Sequence, residues 1–333
     1  MRVTVLGAGV AGLTTALELV RRGATVTVVD RAAALGAGAC SWSAGGMLAP
    51  WCERESAEPV VATRGAVALD WWDEATGAVT RHGTLVVAPP RDSAELTRFA
   101  RRTERYETID GDRVAELEPD LAGRFRAGLF FPDEGHLDPR GALASLERSL
   151  RERGVTFRYG VEADPAEVGD DAVVDCRGFA ARDALPDLRG VRGEMLVVRT
   201  DEIRLSRPVR LLHPRIPFYV VPRAGGVFML GATMIESAER RGATARSVVD
   251  LLNAAYALHP AFGEAEILEV RADVRPAFPD NLPRVERRGG TTYVNGLYRH
   301  GFLLSPTCAQ QAAEIATRPE DTSHEADRER RRA

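Results

Sequence analysis

Gly7, Gly9 and Gly12 make a GxGxxG run, and Asp30 follows 23 positions after Gly7 (30 − 7). Residues of these types at this spacing can bind a dinucleotide. The first glycine permits a tight turn, the second lets backbone approach a pyrophosphate, and the third lets a helix pack closely on a strand. Val10 and Ala11 stand where that helix would begin, so their amides and the helix dipole would favour the anion. Asp30, with Arg31 beside it, would meet the adenosine ribose. An absence narrows the chemistry further. The chain has no lysine, so all 44 basic residues are arginine. Without a side-chain amine there is no lysine-linked pyridoxal phosphate, no Schiff-base aldolase and no P-loop lysine. Flavin and nicotinamide chemistry remain, and the glycine motif alone does not choose between them.

The elements that must position the motif are legible around it. Arg2 to Leu6 reads as a strand, and Leu13, Ala16, Leu17 and Val20 share one face of the helix that follows. Gly23 ends that helix, and Thr25 to Val29 is a second buried strand closing on Asp30, which completes a βαβ unit. A similar pattern returns as a helix over 139–153, a Gly154 stop, and strands at Thr156 to Tyr159 and Ala172 to Val174, predicted to rejoin the first sheet. Between them, about 75–135 holds the strand-like Thr84 to Ala88, a Pro89-Pro90 break and a charged helix. Residues 189–270 differ again, with strand-like runs at 195–198, 218–221 and 227–230 and a helix over 245–258. Thr292 to Asn295 reads as a strand, and a glycine-rich turn leads to a helix over 305–317. The pattern predicts two interleaved domains rather than two consecutive ones.

Bulk properties exclude several classes. A length of 333 residues accommodates two domains, and 44% hydrophobic with 28% charged residues describes an ordinary globular chain. A net charge of −4 provides no field to attract nucleic acid or an anionic membrane. Cys40, Cys52, Cys176 and Cys308 show neither CxxC pairing nor disulfide-scaffold density, so a reducing compartment and no metal site are expected. Residues 1–6 run directly into the glycine motif, leaving no room for a signal peptide, and no apolar run is long enough to span a bilayer. The expected location is the cytoplasm. The charged tail 318–333 has almost no apolar residue and is predicted to be disordered.

Two later segments make the cofactor specific: Ser41-Trp42-Ser43-Ala44-Gly45-Gly46-Met47-Leu48-Ala49-Pro50 and Asn295-Gly296-Leu297-Tyr298-Arg299-His300-Gly301-Phe302-Leu303-Leu304-Ser305-Pro306. With the glycine motif they resemble the D-amino-acid oxidase superfamily of FAD enzymes, and within it the ThiO-type glycine oxidases of thiamin biosynthesis. The likeness spans almost the whole chain and includes 219–223 and 231–234. It implies an α/β fold in which a Rossmann-like FAD-binding domain (1–75, 136–188 and 271–317) is interleaved with an α+β substrate domain (76–135 and 189–270) built on a mainly antiparallel sheet. It places Ser41, Ala44, Gly45, Gly46 and Met47 along the isoalloxazine ring, Cys176 and Gly178 near the adenosine, and Arg299, His300, Gly301, Phe302 and Leu303 at the ring's other side. A helix starting there would stabilise negative charge on the reduced ring. Relatives mostly carry Ala-Thr-Gly where this chain has Cys176-Arg177-Gly178, and often Glu at the place of Asp30.

An amino-acid oxidase must hold its substrate's carboxylate, and the planar fork of an arginine does so with two parallel hydrogen bonds. The resemblance implies Arg299 as the principal clamp, with Arg275 and Tyr219 completing the pocket. His300 and His213 are not expected as bases, since hydride transfer from Cα needs none. The implied reaction oxidises glycine, and sometimes sarcosine or small D-amino acids, to the imine, with O2 giving hydrogen peroxide. The resemblance also implies a homo-oligomer. Competing readings are a D-amino-acid dehydrogenase that passes electrons to a quinone, a nicotinamide dehydrogenase, and a non-catalytic flavin-binding module.

Overall fold

The segment Arg2–Leu6 is an apolar strand buried on both faces, which suits the centre of a parallel sheet. In the computed structural model, which describes residues 1–213 and 217–318, it lies between Thr25–Asp30 and Ala172–Asp175, parallel to both. Thr156–Tyr159 extends the sheet on one side, and Thr291–Asn295 with the antiparallel Arg284–Arg288 extends it on the other, giving six strands. The chain thus leaves the central strand in both directions, and the crevice beyond the strands' carboxyl ends is where such sheets bind ligands. Helices Val10–Arg21, Pro139–Glu152 and Gly301–Thr317 share one core, with Leu13, Leu17, Leu143, Leu146, Leu303 and Ala312 in contact with the sheet's apolar residues. Pro139–Glu152 starts as its sequence dictates: Pro139 opens it, and Asp138 accepts from the amides of Arg140 and Gly141.

Among the described residues a second sheet has nine strands. Arg189–Arg199, Val227–Gly231, Pro217–Pro222 and Val209–Leu212 are successively antiparallel, and Thr84–Val87 joins Val209–Leu212 in parallel before Ala127–Phe131 and Glu107–Asp110 finish the edge. Helix Ala245–Leu258 covers one face, burying Leu251, Ala254, Ala255 and Leu258 against Leu196, Val220 and Phe228. The short pair Met47–Leu48 and Gly135–His136 bridges the region between the two sheets' segments.

Two elements depart from the sequence reading. Glu266–Ala277 pairs along its length with Arg189–Arg199, so residues 271–277, including Arg275, belong to the antiparallel sheet and not to the parallel one. The expected boundary between 270 and 271 therefore falls inside a strand, because pairing partners are invisible to local pattern. The last helix begins at Gly301, not Ser305, and Pro306 lies inside it. A proline there leaves the carbonyl four residues earlier, that of Phe302, without its helical donor. The Trp72 indole N–H takes that carbonyl at 2.7 Å, and the two rings pack 5.2 Å apart. The tail from 319 to 333 lies outside the described residues.

Candidate active site

The sharp turn between Arg2–Leu6 and Val10–Arg21 is built from its glycines. Gly7 has φ +101°, and a Cβ on Gly12 would lie 1.8 Å from the Gly7 carbonyl oxygen, so the third glycine is demanded by packing. Gly9 is different: a Cβ there would stand an ordinary 3.6 Å from Ala39 Cβ and Ser41 Oγ. Protein packing does not require that glycine, which lines the cavity at the helix N-terminus. The N-cap residue Gly9 has no side chain to cap the helix, and the first amide, Val10 N, donates to Ser41 Oγ at 3.2 Å. Asp30 accepts from Ala8 N at 2.6 Å and Ala32 N at 2.8 Å, which fixes the turn and still leaves lone pairs on both oxygens.

That turn opens on a cavity of about 330 Å³ that runs between the sheets. Every residue expected at the cofactor or substrate lines it except Gly12: Gly7, Gly9, Val10, Ala11, Asp30, Arg31, Ser41, Ala44, Gly45, Gly46, Met47, Cys176, Gly178, Tyr219, Arg275, Arg299, His300, Gly301, Phe302 and Leu303. Gly12 acts one layer back, through its contact with Gly7. Arg31 is half exposed and pairs with Glu162 at 3.8 Å. Cys176 turns its thiol away, 3.9 Å from Thr15 Oγ1, and burial pushes that thiol above its ordinary range.

The loop through Gly45 is held by arginines that sequence reasoning missed. Arg223 donates to the carbonyls of Gly45 at 2.6 Å and Leu137 at 2.9 Å, and burial lowers its pKa to about 10. Arg140 donates to the Trp42 carbonyl at 3.1 Å and makes a two-point pair with Glu269 at 2.6 and 2.8 Å. The Tyr219 ring rests against Gly45 and Gly231, and burial raises its pKa, which keeps the hydroxyl protonated.

At the other end the expected arginines behave differently. Arg299 is committed: its guanidinium lies 2.7 Å from Glu53 and donates to Ser56 Oγ at 2.7 Å. Glu53 also meets His300 Nε2 at 2.9 Å and Arg210 at 3.4 Å. Burial alone would push the Glu53 carboxyl up, but Arg299, Arg210 and His300 outweigh it and hold its pKa well below the usual range. Burial likewise opposes the Arg210 cation, and Glu53, Cys52 and Glu134 still carry its pKa above the usual value. Arg275 makes one hydrogen bond, to the Thr233 carbonyl at 3.1 Å, and among the described residues it pairs with no carboxylate. Its guanidinium lies over Gly193, where a Cβ would come within 2.1 Å of Nη2. An arginine has five N–H donors, so most of this fork is free for an anion.

Glu53, Arg210 and Arg223 carried little signal in the sequence. Arg210 had one, a lone cation alternating with the buried Val209 and Leu211 of a strand, which aims it at the opposite face. Glu53 sits on a four-residue helix, Pro50–Glu53, too short to leave a periodic trace.

The donor set fits an FAD. Val10–Arg21 presents its N-terminal turn, with Val10 N on Ser41 Oγ and no cap from Gly9, to a diphosphate, Asp30 has lone pairs for a ribose, and Gly301–Thr317 presents a second N-terminus without a side-chain cap to the cavity. A parallel sheet with this crevice, joined to an antiparallel sheet carrying free arginine, defines a dinucleotide-dependent oxidoreductase. The chain belongs to the FAD-dependent oxidoreductase family DAO, whose model matches residues 2–315, and FAD is its cofactor. A Rhizobium etli protein bearing the name thiamine biosynthesis oxidoreductase ThiO is 60% identical over 314 residues, covering 94% of this chain and 95% of that one. The glycine oxidase of Geobacillus kaustophilus is 27% identical over 355 residues, covering 96% and 93%. In structure, the G. kaustophilus glycine oxidase superposes with a TM-score of 0.78 over 97% of both chains at 24% identity. The iminodiacetate oxidase of Chelativorans sp. BNC1 gives 0.79 over 96% and 98% at 23% identity. No helix among the described residues is long and apolar enough to cross a membrane.

Proposed function

We propose that this chain is an FAD-dependent oxidase of a small amino acid, glycine before sarcosine or small D-amino acids, releasing hydrogen peroxide and an imine that serves thiamin biosynthesis. The observation that carries the reading is Arg275, an arginine with most of its donors free in a cavity that Tyr219 also lines. Arg275 takes the substrate carboxylate through two parallel hydrogen bonds, and Tyr219 adds a third donor. This order differs from the expected one, in which Arg299 was the principal clamp, because Glu53 already occupies Arg299. Arg299 instead supports the pocket wall through Glu53 and His300. Bound FAD supplies the acceptor for the hydrogen and the electron pair of the substrate's Cα–H bond. The chain's share is to hold that bond in place, exclude water and steady the negative charge that develops near the Gly301 amide end. Names of the relatives support the substrate class and the pathway.

The cofactor contacts we propose are Gly9, Val10 and Ala11 at the diphosphate, Asp30 and Cys176 to Gly178 at the adenosine, and 41–47 with 300–303 at the ring. The parallel sheet forms the FAD-binding domain and the antiparallel sheet the substrate domain.

The test is peroxide release by flavin-loaded protein with glycine, sarcosine, D-alanine and D-proline, for wild type, Arg275→Gln and Arg299→Gln. Glycine should turn over best, and Arg275→Gln should lose about 100-fold or more in kcat/KM, as expected for two charge-assisted hydrogen bonds. Flavin reduction without peroxide would replace the oxidase by a dehydrogenase. No reduction by any of the four would overturn the substrate class.

A further inference from the structure

The cavity holds more positive charge than one carboxylate requires. Arg210, Arg275 and Arg299 all line it, and Glu53 is the carboxylate set directly against Arg299 and Arg210. We propose that Glu53 is the specificity-determining residue of the pocket: by tying Arg299 and Arg210 it removes a second anion site and confines the substrate to amines with one carboxylate. The inference rests on the carboxylate-binding role of Arg275 given above and adds the substrate class that the same pocket rejects.

The geometry gives Glu53 this role rather than that of a mobile surface acid. Its helix is pinned from below by Glu134, whose carboxylate accepts from Trp51 N at 2.9 Å and Cys52 N at 2.7 Å. From above, Glu53 Oε2 is held by Arg299 at 2.7 Å and His300 at 2.9 Å, and Oε1 faces Arg210 at 3.4 Å. Arg299 spends the rest of its fork on Ser56 and the Met234 sulfur. For a second carboxylate to use Arg299 it would have to displace Glu53 from its partners or approach it as a like charge, and both are unfavourable at these distances. Replacing Glu53 by an isosteric amide removes the repulsion and leaves the Arg299 guanidinium without its carboxylate partner in the cavity that Arg275 also lines.

The experiment measures binding of acetate and malonate, which do not react, to flavin-loaded protein by titration calorimetry. Glu53→Gln should raise the malonate-to-acetate affinity ratio by about tenfold or more, from the change in charge at close range. Glu53→Asp keeps the charge and should keep the wild-type ratio within about threefold. Adding Arg299→Gln to Glu53→Gln should abolish the gain. In the wild-type background Arg299→Gln removes a charge that compensates Glu53 and should lower the ratio several-fold, and this arm stands even where Glu53→Gln folds poorly. Turnover of a dicarboxylic secondary amine, iminodiacetate, relative to glycine should rise in parallel in Glu53→Gln. An unchanged ratio in Glu53→Gln, or an unchanged ratio in Arg299→Gln alone, would overturn the proposal. Failure of the amino-acid oxidase reading shows separately, as acetate binding indifferent to Arg275→Gln and a flavin that no amine reduces.

Discussion

Replacing Trp72 by phenylalanine should destabilise the protein through a carbonyl made needy by a proline four residues away. The Trp72 ring is fully buried, and its N–H meets the Phe302 carbonyl at 2.7 Å. Pro306 has no N–H to return to that carbonyl, so Trp72→Phe leaves a buried acceptor unpaired at a cost of about 1–3 kcal/mol, apart from the loss of ring volume. Pro306→Ala restores a helical donor. In the Pro306→Ala background the same Trp72→Phe change should cost about 1–2 kcal/mol less, since only the volume term remains. Urea unfolding of the four proteins, loaded with flavin and followed by tryptophan-independent circular dichroism, gives the coupling from the shifts in midpoint. If the two substitutions add to within about 0.5 kcal/mol, the indole is not substituting for the missing helix donor and the account of the Gly301–Thr317 start is wrong.

Other substitutions probe the rest of the site. Gly12→Ala places a Cβ 1.8 Å from the Gly7 carbonyl, so bound FAD per chain should fall about tenfold with the circular dichroism spectrum retained; full flavin content would refute it. Arg223→Lys cannot reach both the Gly45 and Leu137 carbonyls, so FAD should dissociate several-fold faster, roughly the loss of one charged hydrogen bond, as read by fluorescence release. Burial raises the Glu134 pKa from 4.5 to about 7. Because folding favours its neutral form, that carboxyl's contribution is full below about pH 4.5 and is lost as pH rises to about 7, a swing of about 3 kcal/mol. Glu134→Gln should therefore gain melting temperature relative to wild type between pH 5 and 8, and a difference independent of pH would contradict the burial argument.

The glycine motif and its acidic partner were legible because they are contiguous. Tight turn, helix start and acidic strand end all fall within Gly7 to Asp30, and each depends on backbone rules that act between near neighbours. The helix over 245–258 was read to the residue, since an amphipathic stripe and the Thr244 cap that accepts from Ser247 N are both local. The last helix was misread by four residues (305 − 301) because Ser305-Pro306 imitates a cap followed by a first-turn proline. What overruled it was Trp72, far away in sequence, supplying the donor that makes an internal proline tolerable.

The sequence by itself determined the parallel dinucleotide unit, the flavin chemistry left open by a chain without lysine, and the residues that would gather around one cavity. Only tertiary structure decided which arginine is free. Arg275 and Arg299 are the same residue type, and nothing local distinguishes their charges. The difference arises because Glu53, from a short helix 246 residues before Arg299 (299 − 53), is folded against one and not the other. Charge pairing acts through space, and a guanidinium's availability depends on who stands within about 4 Å of it, which no spacing along the chain records.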